Sequence, residues 1–207
     1  YGIDATTIFN PTNIKEIKRL SYYKKRIHFF EKKTVNLINV GRLVQQKNQI
    51  EILQALIKLK TSITNYRLLI VGYGSEEMHL QKFINKFNLK KYVKIMFVKN
   101  PYKYIKMSDV FISSSKFEGL PNVLLEAAYL NKYIISSDCK TGPKEIIQRY
   151  KYGELYKTCN TEELSLKIKN LNKKKLSSNN KDFSNNLRVF NHKKNLKKYS
   201  DAIKILL

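Results

Sequence analysis

The stretch Asp109-Val-Phe-Ile-Ser-Ser-Ser-Lys-Phe-Glu-Gly-Leu-Pro-Asn-Val-Leu-Leu-Glu-Ala-Ala-Tyr-Leu130 holds one complete passage from strand to helix. Its first six residues form a short apolar run of the kind that makes a buried strand. After the Gly119-Leu120-Pro121 turn, Asn122 to Leu130 is apolar on nearly every face and is predicted to be a buried helix. Two carboxylates follow the strand, Glu118 where the helix begins and Glu126 inside it, with seven residues between them. A buried carboxylate is costly unless it is hydrogen-bonded or paired. Each therefore needs a partner, either in a local cap or in a ligand site.

The same passage repeats on both sides. Upstream, Val35 to Val40 reads as a strand followed by Gly41-Arg42, and residues 48–60 carry Ile50, Leu53, Leu56 and Ile57 on one helical face. Tyr66 to Val71 is a second strand, closed by Gly72-Tyr-Gly74-Ser75. Residues 76–87 follow as a helix with Leu80, Phe83, Ile84 and Phe87 in register. Val93 to Val98 is a third strand, and Asn100-Pro101 opens a short helix to about Met107. Downstream come a strand at Tyr133 to Ser137, a helix led by Gly142-Pro143, a sixth strand at Gly153 to Tyr156 and a helix over 161–171. Strands dense in Val, Ile and Leu that alternate with amphipathic helices predict an α/β fold, a doubly wound parallel sheet covered on both faces. The Rossmann-like domain is expected over 35–171, after a lead-in and linker over 1–34 that is extended to Asn10-Pro11. Residues 172–186 read as polar loop within a 172–207 tail. In the closing helix, Leu196, Tyr199, Ile203 and Leu206 make an apolar stripe expected to pack on something.

The chain has 40 basic and 16 acidic residues, a net charge of +24. That excess narrows the partners to nucleic acid, an anionic membrane surface or polyanionic small molecules. Cys139 and Cys159 have neither metal nor redox spacing and are expected to be small buried thiols in a reducing compartment. No apolar run approaches the roughly 18 residues of a membrane span. The chain begins at Tyr1 rather than Met, so it is expected to be a piece of something longer. The expected localisation is cytoplasmic, with peripheral contact to the inner face of a cell membrane.

In sheets of this kind ligands bind at the carboxyl ends of the strands, near a topological switch. Gly41 allows a ligand close to the backbone, and Arg42 and Lys47 flank that turn. Two fixed cations beside a helix start suit a diphosphate; a pair of solvated cations in a Lys-rich chain is the alternative. Gly72-Tyr-Gly74 is either a simple turn or a ligand contact. It is not Gly-x-Gly-x-x-Gly, and no Gly-Lys-Ser/Thr phosphate loop occurs, which disfavours dinucleotide and P-loop chemistry. There is no Asp-x-Asp pair and no His/Cys/carboxylate cluster, so no metal site is expected. His28, His79 and His192 lie far apart and read as surface or helix residues.

Taken in order, Phe9-Asn-Pro11, Val40-Gly-Arg-Leu43 with Lys47-Asn48, Val71-Gly-Tyr-Gly74, Asn100-Pro-Tyr102, Phe117-Glu-Gly-Leu-Pro-Asn122 through Glu126-Ala127, and Thr141-Gly-Pro-Lys-Glu145 resemble the C-terminal, donor-binding half of GT-B retaining glycosyltransferases, the large family 4 group. The likeness covers about residues 5–160 and is nearest to bacterial members that build surface polysaccharides or lipid-linked sugars. The resemblance implies a nucleotide-sugar donor, UDP-linked, and no separate cofactor. It implies Arg42 and Lys47 on the diphosphate, Glu126 on the ribose hydroxyls, and Glu118 against the sugar ring. The amides about Gly119 and Leu120 would hold sugar or phosphate oxygens, with Gly41 and Gly72 lining the donor site and the loop after Val98 at the base. Glu118, Arg42 and Lys47 are the implied catalytic groups. The family enzyme has an N-terminal acceptor domain that this chain lacks, so the chain alone is expected to be incomplete for catalysis. Phe97-Val-Lys-Asn100 is shorter than the family's segment, a departure that bears on the base contacts. A second reading, from charge alone, is a basic module for nucleic acid or anionic membrane on a degenerate scaffold, with Tyr/Lys segments at 22–33 and 149–157. No specific nucleic acid is expected under the first reading.

Overall fold

In the computed structural model of the chain, which describes residues 8–23, 27–177 and 182–206, each apolar run read as a strand is one. The order is α1 (Ile14–Leu20), β1 (Val35–Val40), α2 (Gln49–Lys58), β2 (Tyr66–Val71), α3 (Glu77–Lys86), β3 (Val93–Met96), α4 (Tyr102–Met107), β4 (Val110–Ser113), α5 (Asn122–Tyr129), β5 (Tyr133–Ser137), α6 (Pro143–Tyr150), β6 (Gly153–Tyr156), α7 (Thr161–Lys169), α8 (Lys173–Ser177) and α9 (His192–Leu206). The six strands form one sheet in the order β3-β2-β1-β4-β5-β6, and every pairing is parallel. The chain winds outward from β1 in one direction, then returns to β1's other side and winds the opposite way. That reversal opens a crevice between the carboxyl ends of β1 and β4.

Alternation along each strand divides the core in two. Val35, Leu37, Leu68, Ile70, Val110 and Ile112 meet α2, α3 and α7 on one face. Ile38, Leu69, Phe111 and Ile134 meet α1, α4, α5 and α6 on the other. Within α5, Leu124, Leu125, Ala127, Ala128 and Tyr129 are all buried, as its apolar sequence requires.

Four expectations change. The third strand stops at Met96 because its one partner among the described residues, β2, turns away at Gly72; Gly72 N–H donates to Met96 O at 2.9 Å, and none of the described residues continues the ladder for Phe97 and Val98. The polar stretch read as loop holds α8, anchored by Leu176 on the core, and a 3-10 turn over Ser184–Phe190 that buries Leu187 and Phe190. A single leucine among lysines gives no periodicity, so pattern reading misses such an anchor. The stripe on α9 does not pack as predicted: Leu196, Tyr199 and Ile203 are 45%, 39% and 56% exposed. The inward residue is Asn195, whose amide donates to Val189 O at 2.9 Å. Finally, Cys139 is buried but Cys159 is exposed. The side chain of Leu206, the first seven residues of the extended lead-in, and residues 24–26 and 178–181 lie outside the described residues. No helix among the described residues is long and apolar enough to cross a membrane.

Candidate functional site

The loops after β1 and β4 face each other across the switch crevice and are stitched together. Lys116 N–H donates to Gln46 O at 2.8 Å, the Gln46 amide to Phe117 O at 2.9 Å, and Ser114 Oγ to Lys47 O at 2.9 Å. These bonds bring Lys47 Nζ onto Glu118 Oε1, which also accepts from Ser115 Oγ at 2.6 Å. The lysine side chain is 19% exposed and the carboxylate 9%. A carboxylate so enclosed needs a cation and a hydroxyl, and this one has both.

The turn carrying Glu118 is held from behind. Thr141 Oγ1 donates to Glu118 O, and Ser137 Oγ to Ser115 O at 2.6 Å. Gly142 sits at φ +87°, where a Cβ would come within 1.9 Å of Gly119 O. Thr141-Gly-Pro therefore serves as a rigid backing for the 118–121 turn.

On the far side of the Lys47 turn, Gly41, Arg42, Gly72, Tyr73, Phe97, Val98 and Pro101 frame a cavity of about 170 Å³. Two glycine turns cross there: Gly41 N–H donates to Val71 O at 3.0 Å, and a Cβ on Gly72 would lie 1.9 Å from Gly41 O. The Arg42 side chain is exposed, while its carbonyl is fixed by the Gln49 amide at 2.9 Å. Tyr73 and Phe97, 62% and 58% exposed, meet edge to face with centroids 5.0 Å apart. Exposed aromatic rings beside a cation offer a flat apolar partner for a heterocycle.

Glu126 lies one segment away. With Thr12, Asn13, Glu16, Tyr102 and Asn122 it lines a cleft of about 270 Å³, and Tyr102 OH donates to Glu126 Oε1 at 3.3 Å. Burial pushes the Glu126 carboxyl above its ordinary range, an effect the tyrosine partly offsets. Pro101 lines the arginine cavity and Tyr102 the glutamate cleft, so adjacent residues wall the two.

All the residues singled out from sequence thus sit on segments that follow strand ends: Gly41, Arg42 and Lys47 after β1, Gly72 after β2, Val98 after β3, and Glu118, Gly119, Leu120 and Glu126 after β4. Sequence reasoning did not foresee Tyr73, Phe97, Ser115 or Tyr102 as partners. Tyr73 lies between two turn glycines, Tyr102 in Asn100-Pro-Tyr102 and Phe97 in the shortened segment before it, so each of these carried a signal. Among the described residues no group of three or more His, Cys, Asp or Glu side chains is placed to hold a metal ion.

A family model described as "Glycosyl transferases group 1" matches residues 23–190. An uncharacterized glycosyltransferase of Methanocaldococcus jannaschii is 39% identical over 141 residues, which is 65% of this chain and 35% of that protein. The Campylobacter jejuni N-acetylgalactosamine-N,N'-diacetylbacillosaminyl-diphospho-undecaprenol 4-alpha-N-acetylgalactosaminyltransferase is 31% identical over 136 residues, covering 65% of this chain and 36% of its own length. The crystal structure of Anabaena HepE with UDP and glucose superimposes with a TM-score of 0.77 at 16% identity, over 95% of this chain and 56% of that one. This chain therefore spans about a third of the length of those two curated relatives.

Proposed function

The chain belongs to the glycosyl transferases group 1 family and has the Rossmann-like fold seen in GT-B enzymes; from that premise we propose that it is the donor-binding half of a retaining glycosyltransferase, taking a UDP-linked sugar. The observation that carries this reading is the Lys47–Glu118 contact across the switch crevice, with Arg42 exposed on the same turn as Lys47. A cation paired with an acidic group at that crevice, and a second cation exposed on the same turn, suit an activated sugar. During transfer the bond between the anomeric carbon and the diphosphate oxygen breaks, and its electron pair leaves with the diphosphate. An acceptor hydroxyl oxygen bonds to that carbon and its proton passes to the departing diphosphate oxygen. Negative charge grows on the leaving group and positive charge on the ring. Arg42 and Lys47 at the diphosphate stabilise the first, and the Glu118 carboxylate near the ring the second. Glu126 binds ribose hydroxyls, the amides of Gly119 and Leu120 hold sugar or phosphate oxygens, and the base lies near Val98, against Tyr73 and Phe97.

The presence of UDP and glucose in HepE supports the choice of donor, and the lipid-diphosphate acceptor named for the Campylobacter enzyme supports a glycan or lipid-linked acceptor. The acceptor would bind a second, N-terminal domain. An anionic membrane presenting that acceptor is a fitting surface for a chain of charge +24. Calorimetric titration with UDP and UDP-sugars tests the reading. Saturable binding is expected, and its absence up to several millimolar ligand, with the fold intact, overturns it.

A further inference from the structure

Resting on the donor-binding reading, the Lys47–Glu118 contact bears on how a diphosphate enters the crevice. The ammonium proposed for the diphosphate is already engaged: Lys47 Nζ lies on Glu118 Oε1, and the Glu118 carboxylate cannot follow it outward. Its turn is fixed by Ser115 Oγ on the carboxylate, by Thr141 Oγ1 on the Glu118 carbonyl and by the close approach of Gly142 to Gly119 O. Lys47 is the freer partner, a four-carbon stem ending in a 19% exposed side chain. We propose that Glu118 and a nucleoside diphosphate compete for Lys47, so that the diphosphate must draw the ammonium off the carboxylate before it binds fully.

The consequence is discrimination between donor and product. A sugar-nucleotide brings hydroxyl groups that can donate to Glu118 and replace the lost ammonium. A bare nucleoside diphosphate leaves that enclosed carboxylate without its cation, which is unfavourable. Glu118 thus weakens retention of the diphosphate product relative to the sugar-bearing donor and recaptures Lys47 once the product leaves.

The test is a double-mutant cycle read by UDP affinity on the wild type, Glu118→Gln, Lys47→Ala and the double variant, with melting curves to confirm folding. Glu118→Gln is expected to bind UDP about tenfold tighter, the scale of a partly buried ion pair, with a smaller gain for a UDP-sugar. In the Lys47→Ala background the same change should give no gain. Glu118→Ala carries the same expectation should the glutamine amide disturb the turn. If the gain persists without Lys47, plain repulsion between carboxylate and diphosphate explains it and the proposal falls. If wild type binds UDP and Glu118→Gln binds it no tighter, the proposal falls while the donor-binding reading stands. If none of the four proteins binds UDP, both fall.

Discussion

Tyr102 OH donates to Glu126 Oε1 across 3.3 Å, tying the first residue of α4 to the second turn of α5. The glutamate is held above its ordinary range chiefly by burial. The tyrosine is pushed up to about 12, first by its own burial and then by the carboxylate's charge, so it remains a donor throughout the working pH range. The pair gives an apolar helix one polar anchor facing a cleft. Tyr102→Phe leaves the carboxylate without that donor and should cost roughly 1–2 kcal/mol at neutral pH, measured by urea unfolding. A loss under a few tenths would mean that solvent in the cleft replaces the phenol.

Glu126 also predicts a pH dependence. Its folded-state value lies above the ordinary 4.5. Between those two values the native protein binds more protons than the unfolded chain, so stability falls as pH rises through that window. Glu126→Gln removes the titration. The variant should gain on the wild type as pH increases from about 4.5 toward neutrality, then hold a constant difference. Parallel stability curves for the two proteins would show that the carboxyl is not desolvated in solution.

Two glycines beside the same turn should respond oppositely to alanine. At Gly142 the backbone is left-handed and a Cβ meets Gly119 O at 1.9 Å, whereas a Cβ on Gly119 meets nothing within 4 Å. Gly142→Ala should destabilise by about 1–3 kcal/mol or more through overpacking and backbone strain. Gly119→Ala should stay within about 0.5 kcal/mol of wild type. Thermal or urea unfolding separates them. Equal losses would mean that the Thr141-Gly-Pro segment does not back the Glu118 turn.

Lys132 offers a test at alkaline pH. Its ammonium donates to Lys106 O at 2.8 Å and Ser108 O at 2.9 Å, closing the carboxyl end of α4 where positive charge is favoured. Burial, then the charge of Lys106, lower its pKa from 10.5 to about 8. Between those values the unfolded chain binds more protons than the native one, so this residue's contribution to stability rises with pH there. Wild type should therefore gain on Lys132→Met between about pH 8 and 10 and keep a constant difference below that range. A difference that stays flat across the range would place the ammonium in ordinary solvent.

Much of this was legible in the sequence, for physical reasons. Val35–Val40 and Tyr66–Val71 are too apolar and too short to be anything but buried strands, and the helices between them keep one apolar face. The glycine turns showed where the chain must double back tightly. Strand order was not legible, because nothing local in β1 says that β2 and β4 both pair with it. The side chains that complete each site group were equally hidden. Tyr102 reaches Glu126 over 24 positions and Lys47 reaches Glu118 over 71, separations at which only the folded sheet decides proximity. The stripe on α9 was read correctly as apolar but wrongly as packed, since periodicity reports a face and not what covers it.

Arg42 provides the sharpest division between scaffold and ligand. Its side chain is exposed, and its fixed point is the carbonyl held by the Gln49 amide, which any residue at position 42 retains. Arg42→Ala should thus leave stability within about 0.5 kcal/mol of wild type. UDP affinity should drop roughly ten- to hundredfold, the scale of one or two charge-assisted hydrogen bonds. Arg42→Lys keeps the charge and loses the planar fork, so it should fall between the two. Uridine, which has the base and ribose but no phosphate, supplies the control. Its affinity should not change, because the guanidinium is assigned to the diphosphate and not to the base. An equal loss for uridine and UDP would overturn the assignment of Arg42 to the phosphates and place it at the wall of the cavity it shares with Tyr73 and Phe97.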